Sequence, residues 1–356
     1  MKKTALIMAG GRGERFWPRS RKNLPKQFLS LTDDGKTMIQ LTVERILPLV
    51  EMEDIYISTN ADYAALVREQ LPQIPEKNIL CEPIGRNTAP CIALGAAHIE
   101  KNSGESLMIT LPSDHLIKHN KIFISTLKEA CNIAESHNSL VTLGITPDYP
   151  ETGYGYIKYK GENSIGTAFE VDCFVEKPTK ERAKEYLASD DYLWNSGMFI
   201  WKTSTILTCF EQLLPDAYTK LMEIQNAIGT TVEKEVLNRV FPEFPSISID
   251  YGIMEKSSNI YTIPSNFGWD DVGSWLAVER IKKTNDAGNI ISGNVISIDT
   301  QDCIIEGTQK LIATIGLKDL VIVDTKDAIL ICDKYKTGEI KRIIETLKIC
   351  NKNEYL

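Results

Sequence analysis

Short apolar runs alternate with longer segments of helical period from the N-terminus to about Thr284. That is the pattern of α/β units built around a mostly parallel sheet. Thr4–Ala9, Ile55–Thr59, Ser106–Leu111, Leu140–Ile145, Val171–Glu176 and Gly197–Trp201 predict strands, with another expected near Ile260–Ile263. Between them, Met38–Leu47, Ala61–Gln70 and Ile122–His137 predict helices. Asn87-Thr88-Ala89-Pro90 supplies an N-cap and an early proline for a helix reaching about Lys101. The character changes after Thr284. From Asn289 to Asp333 the chain consists of short β-rich pieces: Val295–Ile298, Cys303–Glu306, Leu311–Ile315, Leu320–Asp324 and Ile329–Cys332. Gly293, Gly307, Gly316 and two Asp-Thr pairs punctuate them, which predicts a small all-β module of regular turns. An amphipathic helix from Gly338 to about Ile349 closes it. Two domains are therefore expected, 1–284 and 285–356, packed together without a low-complexity linker.

Composition narrows the partners. The 40 basic and 48 acidic residues give a net charge of −8, which argues against a nucleic-acid partner or an anionic membrane surface. No apolar run approaches the ~18 residues of a membrane span. The N-terminal apolar stretch, Ala5 to Ala9, is too short for a signal peptide and reads as a buried strand. Eight cysteines are scattered without a C-x-x-C pair, so reduced thiols in a cytoplasmic protein are expected. The four histidines include no H-E-x-x-H, and a structural zinc site is not expected.

Chemistry concentrates in three places. The segment from Gly10-Gly11-Arg12-Gly13 to Lys26 carries six basic residues and one acid between Gly11 and Lys26, a local +5. Glycines directly after the first strand let backbone N–H groups approach a ligand, and the added cations suit a polyphosphate. It is not a P-loop, since no G-K-[ST] follows, nor a dinucleotide fingerprint, since Phe16 stands at the third glycine position. Six cations on one loop need partner anions. The second place is a pair of distant aspartates, Asp114 in Leu-Pro-Ser-Asp-His and Asp271 in Gly-Trp-Asp-Asp-Val-Gly-Ser-Trp. Asp114 follows a strand end, where ligands of open α/β sheets lie. Two carboxylates with nucleotide phosphates are what Mg²⁺ collects. Asp270 competes with Asp271 on spacing alone. The third place comprises Thr152-Gly-Tyr-Gly-Tyr-Ile, Phe174-Val-Glu-Lys-Pro and Trp194-Asn-Ser-Gly-Met-Phe. Glycines beside aromatics suit a sugar pocket, in which Glu176 would accept hydroxyl hydrogens and Lys177 would face a phosphate. Taken singly, these are a hairpin, an exposed ion pair and a turn.

The order of these motifs resembles one family. Gly-Gly-Arg-Gly-Glu-Arg with Pro25-Lys26-Gln27-Phe28, Glu82-Pro83-x-x-Arg86-Asn87-Thr88-Ala89-Pro90 and Pro112-Ser113-Asp114-His115 are similar to the mannose-1-phosphate guanylyltransferases, or GDP-mannose pyrophosphorylases. Thr152-Gly-Tyr-Gly-Tyr-Ile, Glu176-Lys177-Pro178, Trp194-Asn-Ser-Gly-Met-Phe, Ser248-Ile-Asp250-Tyr251 through Lys256, and Trp269-x-Asp271-Val-Gly-Ser-Trp275 extend the likeness over about residues 4–280. Phe16-Trp17-Pro18 replaces a Leu-Trp-Pro seen in familiar members. The resemblance implies a Rossmann-like nucleotidyltransferase domain with a mixed, mostly parallel sheet, followed by a small left-handed β-helix-like module. Some relatives continue into an isomerase cupin domain. This chain stops at Leu356, so isomerase activity is not expected.

The resemblance also assigns roles. Ala9, Gly10, Gly11, Gly13, Arg15, Lys26, Arg86, Asn87, Thr88 and Ser113 would bind GTP. Gly155, Glu176, Lys177, Asn195 and Asp250 would bind mannose 1-phosphate, and Asp114 with Asp271 would hold Mg²⁺. The terminal module would support a homodimer. A sugar 1-phosphate is anionic near pH 7 and needs no general base, so alignment for in-line attack and charge relief would carry the reaction. Arg15, Lys26, Lys177, Asp114 and Asp271 would supply these. His115 is expected to be structural, and Arg21 and Lys22 solvated. Transfer to another manno-configured sugar phosphate, or a silent nucleotide-sugar sensor, are the rival readings.

Overall fold

The computed structural model describes residues 1–11 and 13–356; Arg12 of the glycine loop lies outside them. By packing the chain divides into two units. Met1–Gly10, Thr42–Ser113 and Ile117–Trp269 form the first; Gly11–Leu41, Asp114–Leu116 and Asp270–Leu356 form the second. In this division the glycine loop and the stretch from Asp270 onward share a core with the β-rich tail.

In chain order the strands as far as Ser265 are β1 (Lys3–Met8), β2 (Ile55–Asn60), β3 (Ile79–Glu82), β4 (Leu107–Pro112), the two-residue β5 (Leu116–Ile117), β6 (Leu140–Ile145), β7 (Tyr156–Ile165), β8 (Ala168–Val175), β9 (Tyr192–Lys202) and β10 (Ile260–Ser265). The helices are α1 (Met38–Ile46), α2 (Ala64–Gln70), α3 (Thr88–Ser103), α4 (Asn120–His137), α5 (Lys180–Ala188), α6 (Thr203–Leu213), α7 (Pro215–Ala227) and α8 (Glu233–Val240). The first unit holds a nine-stranded sheet in the order β3-β2-β1-β4-β9-β6-β10-β8-β7. Strand β1 runs parallel to β2 and β4, with Leu6 opposite Tyr56 and Thr110. Strand β9 is antiparallel to both β4 and β6, which makes the sheet mixed. A central parallel strand is covered on both faces, and β1 accordingly is buried at every interior position. Helix α3 is buried from Ala89 to Ile99, so its apolar residues run all round it and its amphipathicity is low. Leu6, Ile92, Met108, Trp201, Phe210, Leu221 and Phe241 belong to one core cluster.

The second unit carries β11 (Trp269–Asp270) at its edge, α9 (Val278–Ile281), β12 (Ile290–Ser292), β13 (Val295–Ile298), β14 (Ile304–Glu306), β15 (Ile312–Ile315), β16 (Leu320–Asp324), β17 (Ile329–Asp333) and α10 (Ile340–Ile349). Parallel pairing puts Ile290 beside Ile304 and Ile304 beside Val321, while β13 pairs β15 on another face, so successive coils stack as a β-helix. Strand β17 returns antiparallel to β16. Inside the coils Asn289 receives the Cys303 N–H at 2.9 Å and donates to the Thr300 carbonyl at 2.6 Å. Helix α10 lays Ile340 and Ile344 against a core that also holds Phe16, Trp17, Val272, Trp275, Ile304 and Val323.

The expected strands are present to within a few residues. Strands β3, β5, β7, β11 and β12 are additions: four of them are four residues or shorter and β7 is half exposed, so their patterns are too short or too polar to read as strands.

Candidate active site

Strands β1 and β4 are register neighbours, and both end where predicted site residues begin: Ala9-Gly10 after one, Ser113-Asp114 after the other. Ala9 is fixed from both sides, its N–H donating to the Ser58 carbonyl at 2.7 Å and its own carbonyl accepting from Thr59 Oγ1 at 2.9 Å. Ser113 is buried, with its N–H on the Met8 carbonyl at 3.1 Å. Among the described residues nothing lies within 4 Å of a Cβ built on Gly10 or Gly11.

Within the second unit, Gly13, Arg15, Lys26, Asp114 and Asp271 line one cleft of about 420 Å³, together with Glu14, Phe16, His115, Val272, Gly273 and Lys341. Lys26 is the pivot. Its ammonium sits 2.8 Å from Asp114 Oδ2 and donates to the Asp271 carbonyl at 2.6 Å. Gly13 makes this arrangement possible, at φ +58° and with a Cβ position that would overlap Lys26 Cβ and fall 2.6 Å from its backbone nitrogen. Gln27 Nε2 donates to the Gly11 carbonyl at 2.9 Å, and Arg15 Nη1 reaches the Gly273 carbonyl at 3.3 Å. Burial pushes the Asp114 carboxyl upward, but the Lys26 ammonium, His115 and hydrogen bonding outweigh it and hold the group below the usual aspartate range. Burial lowers His115 and favours its neutral form.

The adjacent aspartates separate in the structure. Asp270 is buried, forms a two-pronged pair with Arg280, and accepts the Val272 N–H at 2.8 Å. Asp271 lines the cleft and accepts the Gly273 N–H at 3.0 Å. Between them the chain makes an unusual turn: Val272 has φ +50°. Nine non-glycine residues among those described have positive φ, and seven are Asn or Asp, which tolerate it. The other two are Val272 and Lys177, a β-branched residue and a residue preceding proline. Both lie in predicted site motifs, where strain of this kind concentrates. The donor set suits Mg²⁺: two hard carboxylates beside a phosphate-type loop, with room left for water and phosphate oxygens. Among the described residues no group of three or more His, Cys, Asp or Glu side chains is arranged to hold a metal.

The +5 loop is less available than its composition suggests. Arg19 pairs with Glu306 at 2.6 Å, and Arg21 pairs with Asp327 at 2.7 Å while stacking over Trp17. The expectation that Arg21 is solvated is therefore wrong: its side chain is only 12% exposed and ties the loop to the β-helix of the same unit. Lys22 is exposed, as expected. Phe16 is fully buried, its ring 5.2 Å from that of Trp275, which accounts for an aromatic residue at that position.

The first unit gathers the predicted sugar residues. Glu176 pairs with Lys177 at 2.9 Å, so the ion pair expected from the bare motif does exist. A Cβ on Gly155 would fall 2.6 Å from Glu176 Oε2, so glycine is needed for that carboxylate to lie against the backbone. The Asn195 backbone N–H donates to the Gly155 carbonyl at 2.8 Å. Its side-chain Nδ2 donates to Asp250 Oδ1 at 2.7 Å, while its Oδ1 accepts from Gly197 N–H at 3.0 Å. Asp250 opens a single π-helical turn, Asp250–Met254, a feature common at functional sites. Burial, with Glu176 nearby, raises the Asp250 carboxyl despite the Asn195 hydrogen bond. Tyr154 stands edge-on to Trp194 and Trp269, with centroids at 5.3 and 5.1 Å.

Arg86, Asn87 and Thr88 occupy the start of α3 and make structural bonds there. Arg86 donates to the Pro242 carbonyl, Asn87 caps Thr88 N–H at 2.8 Å, and Thr88 Oγ1 accepts from Ile249 N–H at 2.8 Å. Sequence reasoning passed over Val272, whose strain carries no local signature, and Lys341, which reaches the cleft from the closing helix.

Residues 4–287 match the nucleotidyl transferase family and residues 293–347 the MannoseP isomerase/GMP-like beta-helix domain. Mannose-1-phosphate guanylyltransferase of Escherichia coli K12 is 40% identical over 359 residues, covering 98% of this chain and 74% of that protein. The Klebsiella pneumoniae enzyme of the same name is 38% identical over 356 residues, covering 98% and 75%. The crystal structure of mannose-1-phosphate geranyltransferase from Thermus thermophilus superposes with a TM-score of 0.89 at 34% identity, covering 98% of this chain and 100% of that one. With both segments matched and near-full-length relatives at this identity, the chain belongs to the mannose-1-phosphate guanylyltransferase family of nucleotidyl transferases.

Proposed function

We propose that the protein joins GTP and α-D-mannose 1-phosphate to give GDP-mannose and diphosphate. The observation that carries this reading is the cleft in which a glycine loop, Arg15, Lys26 and the two carboxylates Asp114 and Asp271 come together. The sugar phosphate is already an anion, so no residue need remove a proton. What the chain must do is hold two polyanions for in-line displacement at the α-phosphorus and offset the charge on the departing diphosphate. Arg15 and Lys26 serve the diphosphate side. Lys177, held beside Glu176, serves the entering phosphate, and Glu176, Asn195 and Asp250 hold sugar hydroxyls. Asp114 and Asp271 would hold Mg²⁺, which when bound would neutralise phosphate charge.

The reading includes a cytoplasmic homodimer without nucleic-acid or membrane partners. No helix among the described residues is long and apolar enough to cross a membrane. On the β-helix, Ile296, Ile298 and Ile315 are exposed, with Ile298 and Ile315 in register on neighbouring strands, a patch suited to a second copy.

A panel of nucleoside triphosphates and sugar 1-phosphates, read by pyrophosphate release, tests the assignment. GTP with mannose 1-phosphate should give the highest kcat/KM. A higher value with a manno-heptose 1-phosphate would transfer the assignment to that sugar, and no release with any pair would favour a nucleotide-sugar sensor.

A further inference from the structure

We infer that Lys341, on the C-terminal helix, is a third cation for the β- and γ-phosphates of the nucleotide and for diphosphate. The inference deepens the proposed reaction and rests on its reading of the cleft as the polyphosphate side. Lys341 lines that cleft with Arg15, Lys26, Asp114 and Asp271, although more than 300 residues separate it from Lys26.

Its position is determined by packing. Lys341 follows the buried Ile340, and Ile340 and Ile344 of α10 share one core cluster with Phe16 and Trp17 of the glycine loop and with Val272 beside Asp271. The same hydrophobic contacts therefore hold the helix, the loop and the carboxylate turn. Trp17 reinforces this, its Nε1 donating to the Tyr355 carbonyl at 2.8 Å and its carbonyl accepting from Trp275 Nε1 at 3.1 Å.

Electrostatics then asks why a lysine stands there. Helix α10 has no acid in its first turn, and among the described residues Lys341 has no ion-pair partner. Its neighbours are provided for: Arg342 pairs with Glu339 at 2.7 Å, and Lys348 lies 3.9 Å from Glu14. An exposed, unpartnered ammonium on the wall of a cleft that already holds Arg15 and Lys26 is what an anionic ligand would stabilise. The charge count agrees. Described cleft residues include three carboxylates, Glu14, Asp114 and Asp271, against the cations Arg15 and Lys26, of which Lys26 is already held by Asp114. Among the described lining residues Lys341 brings the cations to three, equal to the carboxylates, before any metal adds its charge.

The test compares wild type with Lys341→Ala, Lys341→Arg and Arg342→Ala in the full chain. Calorimetry with magnesium pyrophosphate reads the contact without any sugar. Lys341→Ala should weaken binding by tenfold to a hundredfold, the range expected for one charged hydrogen bond. Lys341→Arg should recover most of it, and Arg342→Ala should match wild type. In turnover, Lys341→Ala should lower kcat with GTP and leave the KM for mannose 1-phosphate unchanged. Because pyrophosphate binding needs no sugar, loss of affinity supports the assignment even if mannose 1-phosphate proves not to be the acceptor. Pyrophosphate affinity within twofold of wild type in Lys341→Ala, or an equal loss in Arg342→Ala, would overturn it.

Discussion

At the scale of single residues, the cleft makes separable predictions. Asp271→Asn keeps a side-chain oxygen to accept the Gly273 N–H but removes the charge a metal needs. Turnover should fall by at least ~10²-fold, with a thermal midpoint close to wild type; wild-type rate at low Mg²⁺ would sink the metal assignment. Asp270→Asn breaks the pair with Arg280 and should lower the thermal midpoint. Lys26→Ala should reduce kcat with GTP by ~10²–10³ and weaken use of pyrophosphate in reverse. A change confined to the KM for the sugar phosphate would put Lys26 on the other side of the reaction. Gly13→Ala forces a methyl group against Lys26 and should reduce kcat about as severely, so a normal kcat would show that the close approach is dispensable. These residues were legible because glycine, paired aspartates and clustered cations have few structural uses together. Arg19 and Arg21 misled because composition counts charges and cannot see that Glu306 and Asp327 neutralise two of them.

Among the elements, the buried strands of the sheet centre were the easiest to read. Strand β1 has no exposed interior position, and that leaves a continuous apolar signal. Five of the six strands of the β-helix, β13 to β17, also fell where glycines and Asp-Thr pairs bounded them. Strand β7 was hidden because half of its length is exposed, and nothing in a polar strand marks its pairing with β8 and β9. Helix α3 carries a pH dependence that no motif announces. His98 is buried in it, 3.9 Å from Glu233, and burial lowers its pKa to about 4. In the unfolded chain it returns to ~6.5, so between these values the unfolded state binds the extra proton. Stability contributed by neutral His98 is complete above ~6.5 and is lost as pH falls toward 4. Melting temperatures measured from pH 7 to 4 should fall less steeply for His98→Gln than for wild type. Parallel curves would contradict the burial argument.

For the whole molecule, packing joins three separated segments into the second unit. No periodicity could reveal this, because Phe16 and Trp17 meet Ile340 and Ile344 only through the fold. The exposed isoleucines of the β-helix predict a homodimer. Light scattering should give twice 40.0 kDa for wild type, and Ile298→Glu with Ile315→Glu should shift it to the monomer. A monomeric wild type would remove that part of the reading. The most direct test of the central claim is turnover of GTP with mannose 1-phosphate whose phosphate oxygens are labelled with ¹⁸O, followed by mass spectrometry of both products. Attack by the sugar phosphate on the α-phosphorus predicts that all label is retained in GDP-mannose and that the diphosphate is unlabelled. Label in the diphosphate, or no GDP-mannose formed, would contradict it.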